Sequence, residues 1–267
     1  MTDPALFLHL RETAVLAAQA AAAVIRQHSR PVGVYEKGPG DLVTDTDRLA
    51  QEAALAAIQD RHPAHTILAE EDSRNHITQD GRWLIPPGVT WSVDPLDGTT
   101  NYAFGIPFYC VSVGAALDGE PVAGAIYDPL RDELFVAARG AGVTLNGELL
   151  PPLQPMKLPQ AVIGVGWAYE AAMQTRMVHT ISALAFKAMT VRSLGSAALS
   201  LAYVAAGRLG MYLNFGLKPW DTGAAAVMIG EVGGVLIQPD GRQWQFGDPA
   251  FLTGHPALLA DALQALD

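Results

Sequence analysis

The chain has 267 residues, enough for one large domain or two closely packed halves with a sizeable core. Hydrophobic residues make up 50% and charged residues 16%, which excludes a disordered chain. The formal net charge of −10 argues against a protein that grips the nucleic-acid backbone, and it means that an anionic substrate has to be held by other means, bound cations among them.

Asp3-Pro4 reads as a helix start, and Leu6, Leu10, Ala14, Ala17, Ala21, Val24 and Ile25 keep a helical period to about His28. No basic segment precedes an apolar run here, so no signal peptide is expected. The apolar stretch 14–25 is Ala-rich and broken by Gln19; it reads as a core helix and not as a membrane span. No membrane partner and a cytoplasmic location are therefore expected. A short strand over 32–36 and a flexible loop over 37–40 follow. Asp41, Thr44, Asp45 and Asp47 then crowd the entry to a second helix that runs to about Gln59 and stops at His62-Pro63. Asp45 and Asp47 read as capping and dipole-matching groups. Asp41 lies outside that helix beside the glycine loop, free to reach a site.

Residues 66–69 read as a strand, followed at once by Glu70, Glu71 and Asp72. After a loop over 73–90 comes WSVDPLDGTTNY, residues 91–102, on which the reading turns. The apolar run 91–93 reads as a strand that ends at Asp94, because Pro95 fixes φ and cannot donate to a ladder. Asp97-Gly98 is a turn pair, and Thr99, Thr100 and Asn101 suit a helix start. Two carboxylates thus sit where a strand ends and free N–H groups begin. The first suit a hard cation such as Mg²⁺ and the second suit phosphate. A D-P-L-D-G run alone is commonly a solvated turn. Here a neighbouring strand also ends in acids, and ligands gather at the carboxyl ends of strands in open α/β sheets.

A β-rich stretch over 109–138 reads as sheet scaffold, with a hairpin signal at Asn146-Gly147. The single cysteine, Cys110, lies within it; no intrachain disulfide or cysteine-based metal site is possible, and it reads as a small buried hydrophobe. Pro151, Pro152, Pro155 and Pro159 form a connector, so the expected halves are 1–150, an α+β half with most of the acids, and 151–267, an α/β half. In the second half, strands are expected at 162–165, 190–191, 211–213 and 235–237, with helices near 170–187, 196–206 and 221–231. Gly195-Ser196 opens one helix and Asp221 heads another after Pro219-Trp220; taken in isolation, simple capping is the better reading of each. Trp167 and Tyr169 can stack on a ring or serve as core. No complete dinucleotide fingerprint, P-loop, nucleophile elbow or H-E-x-x-H motif occurs, and the seven histidines are scattered.

Taken together and in this order, DLVTDTD, Glu70-Glu71, WSVDPLDGTTNY and KPWDTGAAA make the chain resemble the inositol monophosphatase family from the first helix to about Gly234. The resemblance implies a layered α-β-α-β-α sandwich of α+β or α/β class. It implies a Mg²⁺-dependent, typically Li⁺-sensitive phosphomonoesterase, often a homodimer, with two or three Mg²⁺ per site and a small phosphorylated metabolite as its partner. It implies Glu70, Asp94 and the Leu96 carbonyl as ligands of a first metal, and Asp94, Asp97 and Asp221 as ligands of a second. Glu70 would also serve in catalysis, Asp41 would pair with Thr99 to activate water, and the N–H groups of Gly98 and Thr99 would hold phosphate. Lys37, Arg192, Gly195, Ser196, Ala197 and Asn214 would contact substrate. Asn214 stands where inositol phosphatases usually carry a sugar-binding glutamate, which weakens the case for inositol specifically. Inositol 1-phosphate is the first expected substrate; fructose 1,6-bisphosphate, histidinol phosphate, a nucleotide 3′-phosphate and NADP(H) are alternatives. A regulatory, protein-binding member of the fold is the reading from another class.

Charge crowding bears on the same point. Two carboxylates ~4 Å apart repel by ~4 kcal/mol at an effective dielectric of about 20. A cluster of five such acids therefore needs divalent cations or shifted pKa values.

Overall fold

Asp3 accepts the Ala5 N–H at 3.0 Å and Pro4 occupies the first helical position, so α1 (Pro4–Gln27) starts where the sequence places it. The computed structural model describes residues 3–28, 31, 33–38, 40–72 and 81–266. α2 (Asp45–Arg61) is entered through a reciprocal cap, in which the Thr44 and Asp47 side chains each bond the other's backbone N–H. Between the two helices, β1 (Val34–Gly38) and β2 (Asp41–Thr44) form an antiparallel hairpin. Lys37 is thus on a strand and not in a loop; of the loop expected over 73–90, residues 73–80 lie outside the described residues.

Seven strands make the first sheet: β3 (Thr66–Ala69), β4 (Val89–Asp97), β5 (Cys110–Leu117), β6 (Glu120–Asp128), β7 (Glu133–Ala138), β8 (Val143–Leu145) and β9 (Glu148–Leu149), neighbours in that order. β3 runs parallel to β4 and the other pairs are antiparallel. The second sheet has the order β11-β10-β12-β14-β13, from β10 (Val162–Val165), β11 (Thr190–Arg192), β12 (Met211–Phe215), β13 (Val235–Ile237) and β14 (Ala250–Gly254). Helices α3 (Thr99–Phe104), α4 (Ala171–Ala185), α5 (Ala197–Ala205), α6 (Pro219–Glu231) and α7 (Pro256–Leu266) complete the chain. β14 and α7 lie beyond the motifs and carry none of their signals.

The core divides into three layers. Alanines of α1 and α2 pack with Trp91, Val93, Val111 and Val113 on one face of the first sheet. On its other face, Cys110, Ile126 and Phe135 meet Leu201 of α5, Met228 of α6 and Tyr212 and Phe251 of the second sheet. The outer face of that second sheet, with Ile163, Leu213 and Phe215, is covered by Met177 of α4 and Leu258 of α7. The result is the expected α-β-α-β-α sandwich, seated on alternating strand faces. α6 approaches the first sheet closely. A Cβ on Gly114 would lie 2.5 Å from the Ala224 nitrogen, and one on Gly223 would lie 2.2 Å from Ser92 Oγ.

β4 corrects one expectation. The strand does not end at Asp94 but continues to Asp97 across a bulge, with Asp94 opposite Ser112 and Asp97 opposite Cys110. Pro95 sits in the bulge, where the ladder is interrupted and its missing N–H is not needed. Among the described residues no helix is long and apolar enough to cross a membrane.

Candidate active site

The bulge in β4 sets the site. Asp94 is buried and its Oδ1 accepts the Leu96 N–H at 3.0 Å. Gly98 then turns the chain into α3 with φ +100°. A Cβ there would lie 3.1 Å from the Phe108 carbonyl and 3.2 Å from Tyr109 Cβ, so the tight turn needs glycine. Asp221 enters from the first turn of α6, where one carboxylate oxygen caps the helix by accepting the Lys218 N–H at 2.7 Å. Capping and site membership are therefore not exclusive. Ligand-capable atoms of Asp94, Asp97 and Asp221 all lie within 4.8 Å of one another. The Glu70 N–H donates to the Val93 carbonyl at 3.1 Å, which places Glu70 beside this trio. Lys37 Nζ donates to Glu70 at 2.8 Å and to Glu71 at 2.9 Å.

Burial dominates the electrostatics. It pushes the Asp94 carboxyl well up, with Glu70, Asp97 and Asp221 adding repulsion. Glu70 is pushed up to about 8, by burial first and against the pull of Lys37. Asp221 rises to about 7, by burial and then Asp97. Asp97 is also raised by burial, but Ser196 and the N–H groups at the start of α5 oppose the shift. Lys37 stays charged: burial disfavours its ammonium, and the two carboxylates outweigh burial. Crowded acid oxygens are the donor set a hard divalent cation takes, so these residues fit one.

The partner of Thr99 differs from expectation. Its hydroxyl lies 2.8 Å from Asp47 Oδ1 and 3.0 Å from the Leu96 carbonyl. The fully buried Asp47 also takes the Thr44 N–H at 2.9 Å and the Thr44 hydroxyl on Oδ2. Asp41 does not make the pairing assigned to it. It opens β2, opposite Gly38, and among the described residues no hydrogen bond joins it to Thr99. Asp47 caps α2 as expected and in addition reaches the hydroxyl. The T-x-x-D spacing of a capping box accounts for the bond to Thr44, but nothing in it names Thr99 as the second partner. Asp41 instead borders Tyr169, whose phenol is pushed up to about 12, by desolvation first and then by Asp41, Glu70, Asp97 and Asp221.

Several residues assigned to substrate are engaged within the protein. Ser196 is 2% exposed and donates to Asp97 Oδ2 at 2.5 Å, and the Ala198 N–H donates to the same oxygen at 2.7 Å. Ala197 is the first residue of α5. Asn214 is buried: its amide donates to the Tyr212 hydroxyl at 3.0 Å and its oxygen accepts the Phe215 N–H at 2.7 Å. Arg192 folds onto its own strand, donating to Thr190 at 2.6 Å and to the Val191 carbonyl at 2.9 Å. Gly195 has φ +85° and presses on the Asn101 side chain. Asn101, which the sequence marks only as part of a helix start, ties distant segments together, donating to the Phe108 carbonyl at 2.7 Å and to the Leu194 carbonyl at 2.8 Å.

Fold and site thus define a layered α-β-α-β-α protein with an acidic cluster that can hold a metal ion. The model of the inositol monophosphatase family matches residues 8–266. Inositol monophosphatase 1 of Solanum lycopersicum is 34% identical over 257 residues, 95% of this chain and 93% of that one. Nus factor SuhB of Salmonella typhimurium is 37% identical over 250 residues, 92% of this chain and 91% of that one. Among solved structures, the extragenic suppressor protein suhB from Bartonella henselae superposes with a TM-score of 0.85 at 32% identity, over 96% of this chain and 97% of that one. The chain belongs to the inositol monophosphatase family, and as such is a phosphoric monoester hydrolase.

Proposed function

We propose that this protein hydrolyses a small phosphomonoester with Mg²⁺, with inositol 1-phosphate as the first candidate substrate. One observation carries the reading: the acidic cluster of Asp94, Asp97 and Asp221 lies beside a buried hydroxyl–carboxylate pair, Thr99 and Asp47. Two or three Mg²⁺ held by Glu70, Asp94, the Leu96 carbonyl, Asp97 and Asp221 would polarise the phosphate, acidify a bound water and stabilise the leaving alkoxide. The chain's own groups do the rest. When the Thr99 hydrogen is turned toward Asp47, its oxygen keeps lone pairs to accept a proton from the attacking water, with Asp47 as the onward acceptor. Glu70 stands beside the cluster as a second group able to orient that water. The N–H groups of Gly98 and Thr99, at the start of α3, are left to bind phosphate oxygens.

The amide of Asn214 is engaged with Tyr212 and Phe215, which keeps fructose 1,6-bisphosphate, histidinol phosphate, a nucleotide 3′-phosphate and NADP(H) in the candidate set. A homodimer belongs to the same reading. Lithium sensitivity and a cytoplasmic location complete the reading. Similarity to Nus factor SuhB supports a second reading, a regulatory member that binds a protein partner. Phosphate release from a panel of these esters, with and without Mg²⁺, tests the first reading. Mg²⁺-dependent release from one ester well above the rest is expected, and no release from any would refute catalysis. A partner retained by a turnover-dead Asp94→Asn variant would favour the second.

A further inference from the structure

We propose that Ser196 is a positioning residue: it fixes the Asp97 carboxylate so that one defined oxygen faces the cation, and through it the C-terminal half of the chain sets metal affinity. The inference rests on the metal reading above and deepens it.

Asp97 Oδ2 is fully engaged. It takes the Ser196 hydroxyl at 2.5 Å and the Ala198 N–H at 2.7 Å, and the Cys110 thiol lies 3.8 Å away. A carboxylate oxygen with that many donors is saturated. Among the described residues no hydrogen bond reaches Oδ1, so the carboxylate is divided into a held oxygen and an offered one. The Ser196 oxygen also accepts the Leu199 N–H at 3.4 Å, as the cap of α5, which leaves its single hydrogen for Asp97. At 2% exposure, no solvent takes over that bond if the hydroxyl is removed.

The loop that carries Ser196 is itself pinned. Asn101 donates to the Leu194 carbonyl at 2.8 Å and to the Phe108 carbonyl at 2.7 Å. A Cβ on Gly195 would lie 2.6 Å from Asn101 Nδ2, so the loop lies hard against α3. The start of α5 is therefore held in register with the bulge of β4 by a residue of the same motif that supplies the acids. Partners that hydrogen-bond a metal's ligands fix ligand orientation, and losing one weakens metal binding by roughly 10–100-fold. Because Ser196 is engaged and buried, its loss should leave substrate binding alone.

The test is calorimetric titration of the full chain with Mg²⁺ alone, beside steady-state kinetics at saturating Mg²⁺. Ser196→Ala should weaken Mg²⁺ by roughly 10–100-fold and leave the substrate KM unchanged. Ser196→Thr, which restores the hydroxyl and the cap, should bind Mg²⁺ like the wild type. Ser196→Gly keeps a good cap without the hydroxyl; if Ser196→Ala does not fold, the glycine variant should show the same loss. Unchanged Mg²⁺ affinity in a folded hydroxyl-less variant, or a raised substrate KM with metal affinity intact, would overturn the role of Ser196 and leave the metal reading standing. Failure of the wild type to bind Mg²⁺ would overturn both.

Discussion

The two ends of β4 behave in opposite ways. At one end the Trp91 indole donates to His65 Nδ1 at 3.2 Å, and His65 stacks on His62 with ring centroids 4.5 Å apart. His62 Nε2 in turn lies 3.1 Å from the Thr13 hydroxyl. These bases are kept neutral; burial lowers both, and for His62 the neighbouring His65, His9 and Arg61 add to the effect. At the other end, burial acts on Asp94 and Asp97, with Glu70 and Asp221 beside them, and drives every carboxyl upward. Burial disfavours charge at both ends. The histidine end satisfies itself with neutral hydrogen bonds, whereas the acidic end crowds carboxyl oxygens that could hold a cation. One strand therefore carries a self-sufficient structural end and an end suited to a ligand.

Breaking the acidic end should have the largest effect. Asp94→Asn should abolish phosphate release at saturating Mg²⁺ while the metal-free protein melts no lower than the wild type, because the amide keeps an acceptor for the Leu96 N–H and needs no proton to stay neutral where burial pushes the carboxyl up. Full activity in that variant would contradict the assignment. Next comes the relay. Asp47→Asn should lower kcat by about 10²–10⁴-fold, the usual range for acid–base help, with little change in KM. Asp41→Asn should stay close to wild type, and the reverse ranking would restore Asp41 as the partner of Thr99.

The structural end predicts a smaller effect with a definite sign. His62 and His65 have folded pKa values below the ordinary 6.5, so the unfolded chain binds more protons as pH falls below that value. Stability contributed by the neutral pair is complete above about 6.5 and is lost as pH falls toward the folded values. His65→Asn keeps an acceptor for the Trp91 N–H without a titrating ring, and should flatten this acid limb in urea unfolding followed against pH. The smallest effect lies behind Asp221. Gly223→Ala forces a methyl against Ser92 Oγ and should destabilise by about 1–3 kcal/mol. Ser92 Oγ is buried with no hydrogen-bond partner among the described residues, so Ser92→Ala should be neutral or stabilising and should recover part of the Gly223→Ala loss. Independent, additive effects would show that the two side chains do not meet.

What the sequence makes legible is local. Caps, helical periods and the D-P-L-D-G-T-T-N run depend on neighbours a few residues apart, and they place α1, α2, β3 and the Asp94–Asp97 pair close to where the fold has them. Bonds between distant segments are not legible in that way. Thr99 meets Asp47 across 52 residues and Ser196 meets Asp97 across 99, and no local pattern encodes either. Capping explained Asp47, Ser196 and Asp221 well enough at close range to hide their second bonds. Pro95 misled for a different reason: it ends a regular ladder, but a bulge needs no donor at that point.

The most direct measurement is the melting temperature of the wild type with and without Mg²⁺, at about pH 5.5 and about pH 8. Folded pKa values of about 8 for Glu70 and about 7 for Asp221 lie above the ordinary 4.5 and 3.8, so the metal-free folded state holds protons that the unfolded chain releases. Its stability should fall as pH rises through that window, and a cation should restore it. The account predicts a Mg²⁺-induced rise in Tm that is clearly larger near pH 8 than near pH 5.5. A Tm indifferent to Mg²⁺ at both values would contradict the claim that the acidic end of β4 holds a cation.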